Sequence, residues 1–466
     1  MMRKCLLTLL LLLIVTVPFL LLSTGSGRAD DRDDRDRERA KGSVKLLKTI
    51  PVPVSTVNGT SGALYSFDIS FVDPATGTYY LADRSNKAVD VVNANTDTFV
   101  TQIFPINGHA PFAGFVPCSP PGGANDCAGP NGVVAAFPWL FVTDAPSRVL
   151  SFDLRTGLTV SEVFTKVGEK TRADELAYDP RDGLLLVINN ASDPPFGTLI
   201  KVNKATGVLT VVKNIDFDAA HGVDATNGAE QPVWDPGTGK FYLSIPQIGP
   251  TASHGGVLRI STTGTVEATY PVEFCSPAGL ALGPKQDLLV GCNTVFDTAG
   301  GVWTGNADRD THSAQPRYVI LDAKTGNIDK VLFNVGPGDE VWFNKGDNNY
   351  YTASSGSPLV PNAITPARAP LGTATAAPVN VSQGAAVLGV IDAERQKLLQ
   401  LVPTLNVPAV PASQPNPHPA GTAHSVAVNA RNNHAFVPLA ANNAFPDCLK
   451  GCIAVFARPS EVEGDD

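Results

Sequence analysis

The stretch ADELAYDPRDGLLLVINN (residues 173–190), then ASDPPFGT (191–198) and LIKVNKATGVLTVVKNI (199–215), contains one complete four-stranded unit. Two apolar runs flank the turn Asp179-Pro180-Arg181-Asp182-Gly183, and two more flank Asn203-Lys204-Ala205-Thr206-Gly207. Pro and Gly at such positions reverse the chain, and Val, Ile, Leu and Tyr on either side suit strands. The pattern predicts an antiparallel meander of four strands.

Working outward, the same unit recurs. A polar residue stands five positions before the Asp, Asn or Gly that opens each first turn. Asp68 precedes ISFVDPATG, Asp174 precedes ELAYDPRDG, and Glu230 precedes QPVWDPGTG. Ala278 precedes GLALGPKQD, Asp339 precedes EVWFNKGD, His424 precedes SVAVNARNN, and a weaker copy begins at Asn131. The seventh unit has a third strand at CIAVFA (452–457) and then only a polar tail, while SVKLLKTIPVPV (43–54) precedes the first unit without a partner. A ring of blades leaves no open edge if these two segments pair. The expected fold is therefore all-β: a seven-bladed propeller of four-stranded antiparallel blades, closed by an N-terminal strand. An eight-bladed or open arrangement is the alternative.

Composition fits this. The chain has 466 residues, of which 17% are charged, with 42 Gly and 38 Pro for many short strands and turns. A net charge of −9 without a basic stripe argues against nucleic acid as a partner. Residues 1–29 pair Arg3 and Lys4 with an apolar run and a small-residue end, the pattern of an export signal, with a retained anchor as the alternative. Residues 30–42 read as a charged, disordered leader, 43–459 as the propeller and 460–466 as an acidic tail. The expected location is secreted or periplasmic, and the expected state a monomer free of the membrane once the signal is removed. Six cysteines remain, in the local pairs Cys118/Cys127, Cys275/Cys292 and Cys448/Cys452, and an oxidising compartment makes them candidate disulfides.

Connection lengths separate two faces. The short Asp-Pro and Thr-Gly turns share one; the long segments 105–129, 293–316, 354–384, 404–422 and 440–451 share the other, where function is expected. The residues at Asp68, Asn131, Asp174, Glu230, Ala278, Asp339 and His424 begin the innermost strands and converge on the axis at that long-loop face. Asp83, Asp144, Asn190 and Asn293 follow second strands and are expected at the same rim as ligand-binding groups. Four acids around one mouth repel one another unless water, protonation or a cation intervenes. Asp68, Asn131, Asp174, Glu230 and Asp339 are therefore candidate ligands for one divalent cation, Ca²⁺ or Mg²⁺ by the oxygen donor set. The competing reading is a polar lining for a water-filled channel. Of the other histidines, His109, His221, His254, His312 and His418 belong to the long-loop side and His434 to the other.

The segment AEQPVWDPGTGKFYLSI around Glu230 resembles the first-blade motif of the SMP-30/gluconolactonase family, in which the matching Glu binds a divalent metal. Asn131-Gly132 resembles that family's second metal ligand, and Ser276-Pro277-Ala278-Gly279-Leu280 its third, with Ala278 where the family has a metal-binding Asp. The repeat at His424-Ser425-Val426-Ala427-Val428 is similar to secreted YVTN/YncE-type and NHL-type propellers, many of them binding scaffolds. Propeller lyases and lactonases, which the histidine arrangement resembles, use a rim His as general base beside a cation, which would make His424 catalytic. Two functions follow as expectations: an exported propeller that binds a small molecule or protein at its long-loop face, or a metal-dependent hydrolase or lyase acting on a small ester, lactone or sugar acid.

Overall fold

The computed structural model describes residues 42–116, 118, 123, 125–302, 317–333, 335, 338–357 and 385–459. The segments read above as export signal and acidic tail, nearly all of the leader, His312 and much of two long connections lie outside them. The unit that begins at Val44 is a seven-bladed propeller.

In blade 1 the strands are β2 (Ser70–Asp73), β3 (Thr78–Asp83), β4 (Ala88–Asn93) and β5 (Thr98–Ile103), each hydrogen-bonded to the next. Blade 2 uses β6 (Val133–Ala136) to β9 (Leu158–Phe164), and blade 3 uses β10 (Leu176–Asp179) to β13 (Leu209–Asp216). Blades 4, 5 and 6 run from β14 (Pro232–Asp235), β18 (Cys275–Leu282) and β22 (Glu340–Asn344) to β17 (Val266–Glu273), β21 (Ile328–Phe333) and β25 (Lys397–Pro403). Blade 7 has β26 (Ala427–Asn429), β27 (His434–Leu439) and β28 (Cys452–Ala457), and its outer strand is β1 (Lys45–Pro51). β1 runs antiparallel to β28, with Lys45 opposite Ala457, Ile50 opposite Ile453 and Pro51 opposite Cys452. The expected closure is thus present. Residues Cys452–Ala457 are buried throughout, so this apolar strand is protected on both edges.

The turn motif has a local cause. The Asp73, Asp179 and Asp235 carbonyls accept from Gly77, Gly183 and Gly239 at 2.8–2.9 Å, while their carboxylates accept from the amides of Ala75, Arg181 and Gly237. Asp therefore caps the reversal, and Gly183, at φ +64°, takes the left-handed position that closes it.

The register is the same in blade after blade. The amides of Asp68, Asn131, Asp174, Glu230 and Asp339 donate to the second-strand carbonyls of Ala82, Thr143, Ile188, Ser244 and Ala353 at 2.8–3.1 Å. One repeated backbone bond thus sets these side chains at one height on the axis. Second strands such as Leu184–Asn189 are buried at every residue, whereas fourth strands such as Val266–Glu273 alternate. A blade packs both faces against its neighbours, so its inner strands read as continuous apolar runs. The core accordingly forms layers between blades, the largest linking blades 6, 7 and 1 through Tyr351, Phe436 and Tyr79.

All three expected cysteine pairs are disulfides, with Cα–Cα distances of 5.2, 5.2 and 4.8 Å for Cys118–Cys127, Cys275–Cys292 and Cys448–Cys452. Bonds of this kind belong to oxidising compartments. Among the described residues no helix is long and apolar enough to cross a membrane.

Candidate functional site: an acidic cavity on the axis

At the long-loop end of the axis lies a cavity of about 300 Å³. Its wall carries six carboxyl groups, from Asp68, Asp174, Glu175, Glu230, Asp339 and Glu340, against the guanidinium groups of Arg84 and Arg172 and the imidazole of His424. Tyr65, Asn125, Ala420 and Thr422 complete the mouth. Tyr65 stacks on His418, with ring centroids 3.6 Å apart, and the bridges Val407–Gly421 and Val410–His418 hold that connection in place.

Of the residues expected to gather here, Asp68, Asp174, Glu230, Asp339 and His424 do so. Asn131 faces a different task. Its Oδ1 accepts from Arg84 Nε at 2.9 Å, and its Nδ2 donates to the carbonyls of Ala128 and Ala173 at 3.0 and 2.8 Å. The amide is consumed in joining neighbouring segments and orienting Arg84. None of Asp83, Asp144, Asn190 and Asn293 lines the cavity, because second strands lie outward of the first strands that form the wall. Asp83 caps the turn below it by accepting from the Asn86 amide at 2.8 Å. Asp144 is ion-paired with Arg148, whose guanidinium also donates to the carbonyls of Ala110 and Pro111 at 3.0 and 2.8 Å, which ties down the 105–129 connection. Asn190 Oδ1 accepts from Arg172 Nε at 3.2 Å and so positions that cation. Asn293 is exposed on β19 (Asp287–Val295).

Four residues essential to the cavity were not anticipated: Arg84, Arg172, Glu175 and Glu340. Arg84 is paired with Asp68, and Arg172 Nη2 lies 2.9 Å from Asp174 Oδ2. The repulsion among the ring acids is thus met in part by the protein's own cations. Glu175 and Glu340 form a second layer one residue deeper. Their signal was a charged residue directly after a ring position, before an otherwise apolar strand (ELAYD, EVWFN).

The environment sets each charge. Burial pushes the Asp68 carboxyl up, but Arg84 and His424 outweigh it and hold it well below the usual carboxylate range. Burial pushes Asp174 up to about 6, and burial with the nearby Asp174 and Asp339 pushes Glu230 up to about 8. Glu175 is driven well above its ordinary value by burial and by Glu340, and Glu340 by burial and by Asp68 and Asp339 against the opposing pull of His424. Burial opposes charge on His424, yet Asp68, Asp339 and Glu340 raise it to about 9. Glu340 Oε2 accepts from Ser425 Oγ at 2.8 Å, while its Oε1 has no hydrogen-bond partner among the described residues.

A second chamber, of about 470 Å³, continues along the axis toward the short-turn end. It shares Ile69 and Glu175 with the first and is lined by Phe71, Tyr178, Trp234 and Trp342. The axis is therefore acidic at one end and aromatic at the other.

No family model matches this chain, and no curated protein matches it. Among solved structures it is similar to a chain of the hydrazine synthase of Kuenenia stuttgartiensis, with a TM-score of 0.54 and 13% sequence identity. The match covers 88% of this chain and 98% of that one, and at this identity the two share a fold.

Proposed function

We propose that this protein is an exported binding propeller whose axial cavity takes a small ligand carrying positive charge. The observation that supports it is the composition of the wall: six carboxyl groups against two guanidinium groups and one imidazole, around a space of about 300 Å³. At neutral pH burial keeps Glu175, Glu230 and Glu340 protonated, and Arg84, Arg172 and His424 balance the remaining acids. A cationic group therefore binds by displacing those protons and pairing with the carboxylates it frees in a low-dielectric wall. The three disulfides support an oxidising compartment, secreted or periplasmic, and the reading takes the protein to act as a monomer. Its relation to SMP-30, NHL and YncE-type propellers is part of the proposal, supported by Glu230 at the cavity wall.

A second reading, a hydrolase of a neutral ester or lactone, is favoured by Glu230. Its carboxyl lines the cavity and, pushed up to about 8, holds a proton at neutral pH for a leaving oxygen.

Calorimetry with a panel of diamines and polyamines, neutral lactones and sugar acids is the test. The proposal expects cationic ligands to bind and Glu230→Gln to weaken them about tenfold, the cost of one charged hydrogen bond. Binding of sugar acids in place of amines would overturn it. Turnover of lactones that disappears in Glu230→Gln would establish the second reading instead.

A further inference from the structure

The structure assigns a divalent-cation site to Asp68, Glu340 and His424, where blades 1, 6 and 7 meet. Their ligand atoms all lie within 4.8 Å of one another. This set differs from the ring expected from sequence, because Glu340 comes from the deeper layer and the other ring acids stand outside it.

The orientation of His424 carries most of the inference. Its Nδ1 lies 3.0 Å from the Thr422 carbonyl oxygen and 2.7 Å from Thr422 Oγ1. A carbonyl can only accept, so Nδ1 bears the hydrogen and Nε2 turns toward the acids. Nε2 lies 3.3 Å from Asp68 Oδ1. A nitrogen lone pair and a carboxylate oxygen held that close require a positive species, a proton or a metal ion. Bonds of about 2.1 Å at tetrahedral angles place two ligand atoms about 3.4 Å apart, which matches this pair.

The surroundings are those of a supported ligand set. The remaining oxygen of Asp68 is held by Arg84, which Asn131 orients in turn, and a backbone carbonyl fixes the imidazole. Glu340 is 3% exposed, and its Oε1 has no hydrogen-bond partner among the described residues. Its ligand atom lies within 4.8 Å of the other two, so the carboxylate closes on a bound ion by a side-chain adjustment. Three protein donors facing an open cavity leave room for water or ligand as the fourth.

The donor set names the class of ion. One imidazole and two carboxylates suit a first-row ion such as Zn²⁺ or Mn²⁺, whereas Ca²⁺ takes six to eight oxygens. Asp68, Glu340 and His424 also line the cavity of the amine-binding proposal, but metal affinity is read without any amine, so either can fail while the other holds.

The test uses the full exported chain, stripped with chelator and titrated with Zn²⁺ against a chromophoric competitor. Wild type is expected to bind one Zn²⁺, at least a hundredfold tighter than Ca²⁺. Glu340→Gln and His424→Ala should each lose tenfold or more, and Asn293→Ala, exposed and outside the cavity, less than threefold. Because a substitution on the axis can disturb folding, absorption of the Co²⁺-loaded wild type gives a second readout, with bands of a low-coordinate N/O site expected. Absence of Zn²⁺ binding, equal affinity in wild type and both variants, six-coordinate Co²⁺ spectra, or preference for Ca²⁺ would each overturn the assignment.

Discussion

Replacing Arg84 by Met removes the cation that ties blade 1 to blade 2 at the axis. The Arg84 side chain is 3% exposed; it pairs with Asp68 and donates to Asn131 Oδ1 at 2.9 Å. Met fills much of the same space, so the cost falls on the acceptors left behind. Breaking a buried pair by deleting one partner destabilises by about 3–5 kcal/mol. The sign with pH can be worked out. In wild type the Asp68 carboxyl is held below its ordinary range, so its stabilisation is present above that range and lost as pH falls toward the depressed value. Without Arg84, burial dominates and the carboxyl moves upward, so the variant regains stability as Asp68 takes up a proton. The gap between the two proteins should therefore be widest at pH 7–8 and shrink as pH is lowered through the carboxylate range. Asp68→Asn added to Arg84→Met removes the unpaired charge and should recover about 1–3 kcal/mol. Urea denaturation with disulfides intact, at pH 5 and pH 8, is the assay. An Arg84→Met protein as stable as wild type at pH 8, or a double variant weaker than the single, would refute the reasoning.

Deleting residues 43–54 should strip β1 from β28, expose the CIAVFA edge and replace cooperative unfolding with aggregation, while deleting 30–41 should leave the melting curve unchanged. Reduction should lower the urea midpoint, with Cys275–Cys292, separated by 17 residues, contributing up to about 3 kcal/mol on a chain-entropy basis. Cys448–Cys452, separated by four, should contribute least; serine variants of each pair compared in urea would show it. Asp90 is fully buried beside Asp83, and burial followed by the Asp83 charge pushes its carboxyl well above the usual range. Stability from such a group is lost as pH rises through its folded value, so Asp90→Asn should be more stable than wild type at pH 8 and lose that advantage by pH 4. Equal pH profiles in urea would exclude it.

The blades and the three disulfides were legible because each rests on local chemistry, and the closure because an orphan first strand and an incomplete last blade leave one pairing. Asp179 and Gly183 declare a turn wherever they occur in that spacing, and strands that pair with sequence neighbours leave little choice of partner. Turn spacing also placed Asp68, Asp174, Glu230 and Asp339 at one height, since a repeated backbone bond fixes each relative to its turn, and it put His424 at the same cavity wall. What the sequence could not determine is where long side chains reach. Arg84 and Arg172 leave loops next to the axis and turn inward to the acids, while Arg148 takes the Asp144 carboxylate for the packing of a connection. Asn131 has the right position but spends its amide on Arg84 and two carbonyls, because the blade 1–2 junction offers those partners. Backbone register follows from short-range pattern; the partner of a buried charge depends on which groups several blades bring within 3 Å of it, and only the closed ring settles that.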